Sequence, residues 1–174
     1  MSIPIHLLVL EDNPSDAELV ILELRRAGFE PDWKRVETEA DFLAALDPSL
    51  DLILADYHLP QFDGLRALNL VQESKLGIPL MIVSGTIGDE MAVEAMKKGA
   101  TDYLLKDRLA RLGPAVKQAL EHRKLVEERK QTEEQLRHQT IMLDSVNEAI
   151  RSLGCESQAD CLEHSRRETV RLEG

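Results

Sequence analysis

Short apolar runs of strand length, each ending in a polar residue and each followed by a segment with helical spacing, constrain this chain more than any other feature. Ile5 to Leu10 is apolar except at His6 and ends at Glu11-Asp12. Leu52 to Ala55 ends at Asp56, and Leu80 to Val83 ends at Ser84. Uninterrupted runs of this length mark strands buried on both faces, which in turn implies a sheet covered by helices on both sides.

The intervening segments supply the helices. Asn13-Pro14 reads as a cap and first turn, followed by Ala17, Val20, Ile21 and Leu24 on one face and Gly28 as the stop. Trp33 to Val36 is a more polar strand, expected at a sheet edge. Thr38 and Asp41 form a capping pair for a short helix that Asp47-Pro48 closes. A third helix opens near Gly64 and is expected to stop at Gly77, a fourth runs from Asp89 to Lys98 before Gly99, and Thr101 to Leu105 is the fifth strand. Five strand–helix units within about 120 residues predict an α/β fold, a doubly wound five-stranded parallel sheet.

Such sheets bind ligands beyond the carboxyl ends of their strands. Glu11 and Asp12 follow the first strand, Asp56 the third, Ser84 the fourth and Lys106 the fifth. Taken singly these are a turn aspartate, a turn serine and a surface lysine; their placement after successive strands is what sets them apart. Three carboxylates brought together repel one another unless a cation intervenes. A hard divalent ion with oxygen ligands, Mg²⁺, meets that need. A carboxylate is also a nucleophile able to form an acyl phosphate. Asp56 is the best placed for that step, with Lys106 as counter-charge and the Ser84 hydroxyl beside the transferred oxygens.

These residues resemble the receiver domain of two-component response regulators, over residues 4 to about 125. Glu11-Asp12 is similar to the family's acidic pair, Asp56 to its phospho-accepting aspartate, Ser84 to its switch hydroxyl and Lys106 to its lysine. Leu59-Pro60-Gln61-Phe62-Asp63-Gly64 resembles its loop. The resemblance implies a flavodoxin-like sheet of order 2-1-3-4-5. It also implies phosphoryl transfer from a histidine kinase or phosphotransfer protein onto Asp56 with Mg²⁺, followed by hydrolysis, and no other enzymatic activity. Glu11, Asp12, Asp56 and the backbone carbonyl of His58 would hold the metal; an imidazole ligand at His58 is the weaker alternative. Tyr103 matches the switch aromatic, against plain strand packing, and His58 and Thr86 match positions that tune phosphoryl lifetime. One departure is Asp107, where receivers commonly carry proline after the lysine, often with a cis bond. Before a non-proline residue cis costs roughly 2.5–4 kcal/mol, so a trans bond or a strained loop is expected.

Beyond Arg108 the character changes. Leu109, Leu112, Val116, Ala119 and Leu120 share a helical face interrupted by Gly113-Pro114, read as a kink or a restarted helix. Glu121 to His138 is charged with both signs interspersed, as in a solvated helix. A seam through Leu112, Val116, Ala119, Arg123 and Val126 suggests a coiled coil but fails at Lys130 and Glu133. The expected division is a receiver over 1–125, a charged helical linker over 126–153 and, over 154–174, the start of a following domain or a disordered tail. The C-terminal helix, from Ala115 to Leu143, is expected to carry dimerisation or coupling, with a homodimer through it and the conformational change transmitted along it.

Composition narrows the partners. The net charge is −11, and residues to Asp107 hold 20 acids against 9 bases, whereas the rest hold 12 of each. Without a basic face, no direct nucleic-acid contact is expected. No apolar run spans a bilayer and no signal peptide opens the chain, so a cytoplasmic protein without membrane contact is expected. Cys155 and Cys161 lack a metal or disulfide framework. Two other classes stay open: a docking or dimerisation module that works without phosphorylation, and an aspartyl-phosphate hydrolase. The hydrolase would want an acid two residues after the nucleophile, where His58 stands. His122 and His138 lack the neighbours of a phospho-accepting histidine box.

Overall fold

A computed structural model describes residues 2–85 and 88–152. Strands β1 (Ile3–Leu10), β2 (Phe29–Val36), β3 (Leu52–Asp56), β4 (Leu80–Ser84) and β5 (Asp102–Leu105) form one sheet. All pairings are parallel and the order is β2-β1-β3-β4-β5, the flavodoxin-like order. Helices α1 (Pro14–Arg26), α2 (Glu39–Ala45), α3 (Gly64–Ser74) and α4 (Asp89–Lys97) alternate with the strands, and a 3₁₀ segment, Lys106–Arg111, leads into α5 (Leu112–Ser152).

The pleat sends alternate residues of each strand to opposite faces. Leu7, Val9, Leu52, Leu54, Met81 and Val83 pack with Ile21 and Leu24 of α1 and Leu112 and Val116 of α5. Leu8, Leu10, Ile53, Ala55, Leu80 and Ile82 pack on the other face with Phe42 of α2, Leu68 of α3 and Ala95 of α4. Burial on both sides is why the central strands read as uninterrupted apolar runs rather than as alternating ones.

Several boundaries differ from the sequence reading. β2 begins at Phe29, well before Trp33, because it pairs along the whole of β1 from Ile3↔Phe29 to Leu10↔Val36. Pro31 is tolerated there because β2 is an edge strand. α3 stops at Ser74, and Lys75 takes the left-handed conformation (φ 56°) ahead of Gly77. Pro114 lies in the first turn of α5, where its missing N–H has no helical partner to lose, so the helix restarts rather than kinks. Among the described residues no peptide bond is cis, and the Lys106–Asp107 bond is trans.

The chain divides into two compact units, Met1–Leu125 and Val126–Gly174. In the second, residues 126–152 continue as helix, with Val126, Leu136, Ile141, Met142, Leu143 and Val146 exposed. The seam expected through Leu112, Val116 and Ala119 is corrected: those three are buried in the core of the first unit and have no surface to offer a partner helix. No helix among the described residues is long and apolar enough to cross a membrane. Thr86, Cys155, Cys161 and the expected tail over 154–174 lie outside the described residues.

Candidate phosphoryl-acceptor site

The carboxyl ends of β1, β3, β4 and β5 bring the predicted residues to one edge of the sheet. Glu11 follows β1 and is buried. Its backbone N–H donates to the Val36 carbonyl (3.0 Å), which extends the sheet ladder by one residue and fixes where the acidic pair begins. Its Oε1 accepts from the Asn13 N–H (3.1 Å). Asp56 ends β3 with only 9% of its surface exposed, and its Oδ1 accepts the His58 N–H (3.1 Å), closing an Asx-type turn. Ser84 ends β4 and is fully buried, one residue beyond the Asp56↔Val83 pair.

Lys106 enters directly after β5, and its Nζ donates to Glu11 Oε2, Asp56 Oδ2 and Asp16 Oδ2, each at 2.7 Å. Burial works against its charged form, but the hydrogen bonds to Asp16, Asp56 and Glu11 outweigh it and raise the pKa above that of an ordinary lysine. Glu11 is pushed up by burial, partly offset by the Lys106 and Asn13 hydrogen bonds and reinforced by the Asp56 charge. The carboxylate held above its usual range is therefore Glu11, chiefly because it is buried.

Carboxylate oxygens of Glu11, Asp12 and Asp56 lie within 4.8 Å of one another. Hard oxygen donors gathered this closely suit a cation whose ligands stand at about 2.0–2.1 Å, as Mg²⁺ requires. Asp12 is exposed, and the partners of Lys106 Nζ are Glu11, Asp16 and Asp56 rather than Asp12. The His58 side chain is exposed, and its ring is tilted by 58° against that of the adjacent Tyr57 with centroids 4.8 Å apart. Tyr103, half-buried on β5, stands edge-on to Tyr57 with ring centres 6.4 Å apart.

Two residues that sequence reasoning missed also belong here. Asp16 sits in the first turn of α1, so the helix start keeps it at the same sheet edge as Asp12. Its position four residues after Asp12 was the available signal. Arg35, near the end of β2, donates from Nη1 to the carbonyls of Glu11 (2.8 Å) and Asp12 (3.2 Å), pinning the backbone of the acidic pair. Nothing local in the sequence marks it, because the contact exists only through the β1–β2 pairing. Gly64 opens α3 directly against the end of β3: a Cβ there would stand 2.7 Å from the Asp56 carbonyl oxygen.

Comparison with known proteins places the fold in a family. The family model of the response regulator receiver domain matches residues 7–117. The cell cycle transcriptional regulator CtrA of Caulobacter vibrioides is 29% identical over 122 residues, covering 67% of this chain and 52% of that protein. The transcriptional regulatory protein ZraR of Salmonella typhimurium is 32% identical over 120 residues, covering 68% of this chain and 27% of the relative. The chain thus spans about half or less of the length of these curated relatives. Among solved structures, NtrX from Brucella abortus superposes with a TM-score of 0.64 at 28% identity, over 76% of this chain and 30% of that one. The signal receiver domain of a putative Luxo repressor protein from Vibrio parahaemolyticus gives 0.63 at 26%, over 72% and 96%. The chain belongs to the response regulator receiver domain family, whose general function in two-component signalling is to accept a phosphoryl group.

Proposed function

We propose that Asp56 is the phosphoryl acceptor of this chain and that a histidine kinase or phosphotransfer protein is the donor. The observation that carries this reading is the Asp56 carboxylate, buried at a strand end and hydrogen-bonded to Lys106 at 2.7 Å, beside two further acids. A carboxylate oxygen attacks the phosphorus of a phosphohistidine. The P–O bond forms as the P–N bond breaks, its electron pair returning to the imidazole, which takes up a proton. Water later attacks the same phosphorus, releasing inorganic phosphate and restoring the carboxylate. Beyond this self-modification and its reversal the domain has no enzymatic role.

Glu11, Asp12 and Asp56, with the backbone carbonyl of His58, would hold Mg²⁺, which when bound neutralises charge on the transferring oxygens. Lys106 provides fixed positive charge at the acceptor, Ser84 a hydroxyl donor on the neighbouring strand, and Tyr103 the aromatic that responds to it. We assign residues 1–125 to the receiver and 126–153 to a helical linker that carries the conformational signal and pairs with a second copy. An acidic first unit makes no direct nucleic-acid contact in this reading, and the protein works in the cytoplasm.

Incubation with acetyl phosphate and Mg²⁺, followed by mapping of the modified residue, tests the acceptor. Label at Asp56, lost in Asp56→Asn and on chelation of Mg²⁺, is the expected result. An unlabelled Asp56 would favour a docking module that works without phosphorylation.

A further inference from the structure

The lysine at the acceptor site is saturated. An ammonium has three N–H donors and no more. In Lys106 all three are taken, by Glu11, Asp56 and Asp16 at 2.7 Å each. A phosphoryl oxygen arriving at Asp56 finds no free N–H on this lysine unless one carboxylate lets go.

The three partners are not equally easy to release. The Glu11 side chain is 5% exposed, that of Asp56 10% and that of Asp16 35%. A carboxylate that already touches water loses little when its protein partner leaves, whereas a buried one is left uncompensated. Glu11 and Asp56 also belong to the acidic group suited to a cation, and Asp16 does not. An acid in the first turn of α1 would be favoured by the helix dipole alone. The dipole does not account for its carboxylate being turned onto Lys106.

We propose that Asp16 is a positioning residue that holds Lys106 in the resting site and yields it to the incoming phosphoryl group. Asp16 thereby competes with phosphorylation, and its strength as a partner sets how readily Asp56 is modified. This inference rests on the reading of Asp56 as the acceptor.

The test uses the full chain with Mg²⁺ and two readouts: the rate at which acetyl phosphate labels Asp56, and the affinity for beryllofluoride, a noncovalent phosphoryl mimic. Asp16→Asn and Asp16→Ala should raise both by roughly three- to tenfold, the range of a charge-assisted hydrogen bond at a partly exposed site. Asp16→Glu, which keeps an acid within reach of Lys106, should behave as wild type. Glu18→Gln removes the same charge from the same helix without touching Lys106 and should leave both readouts unchanged. A role limited to the α1 dipole would shift the urea midpoint of Asp16→Asn and leave beryllofluoride affinity where it was. Unchanged or slower labelling in Asp16→Asn, or equal acceleration in Glu18→Gln, overturns the proposal. A wild-type protein that takes no label at Asp56 defeats the acceptor reading instead, so the two failures are told apart.

Discussion

Lys106 is the residue on which the carboxylate cluster at the strand ends depends. It sits among three carboxylates, one of them the buried Glu11, and its charge is the cation that offsets them among the described side chains. Replacing it with methionine keeps the aliphatic stem but leaves buried carboxylates facing one another. Lys106→Met should therefore lower stability by about 1–3 kcal/mol in the absence of metal, the cost of leaving a buried polar group uncompensated. Urea unfolding monitors this, and added Mg²⁺ should restore part of the loss by supplying positive charge at the same carboxylates. A variant as stable as wild type without Mg²⁺ would mean that the cluster relaxes into solvent.

At the scale of elements, the site exists because helices start where strands stop. Asn13 caps α1 through its side chain to the Ser15 N–H (3.0 Å), and Asp63 caps α3 through the Arg66 N–H (2.7 Å). Each cap brings a helix start close to a strand end that carries an acid. The tightest of these junctions is Gly64 against Asp56, where a Cβ would also lie 2.8 Å from Ile82 Cδ1. Gly64→Ala must push α3 away from β3, and overpacking of this kind costs about 1–3 kcal/mol. A lowered melting temperature together with slower labelling of Asp56 is the expected outcome. An alanine variant with wild-type melting and labelling would show that the α3 start can shift without disturbing Asp56.

At the scale of the whole molecule, the two compact units pose different problems of burial. The first buries apolar residues on both faces of its sheet. The described part of the second, residues 126–152, is helix, and its apolar residues Leu136, Leu143 and Val146 remain 42–63% exposed. Leu136 and Leu143 stand seven residues apart, and Thr132, Gln139 and Val146 repeat at the same interval on the intervening positions, the heptad spacing of a coiled coil. A dimer through this helix is expected in sedimentation analysis, and Leu136→Lys combined with Leu143→Lys should render it monomeric. A wild-type monomer both with and without beryllofluoride would remove dimerisation from the function.

The sheet, its winding and the strand-end acids were legible in the sequence because they depend on local properties. Run length, turn residues and the period of apolar positions act over a few neighbours, and parallel strands place their carboxyl ends together whatever the details. Side-chain partnership is not local in that sense. Only packing decided that Asp16 rather than Asp12 shares Lys106, that Arg35 on the neighbouring strand holds the backbone of the acidic pair, and that Leu112, Val116 and Ala119 belong to the core instead of a helical seam. The Asp16–Lys106 contact alone joins residues 90 positions apart. Such contacts depend on the angle at which a helix meets its sheet, which no short stretch of the chain encodes.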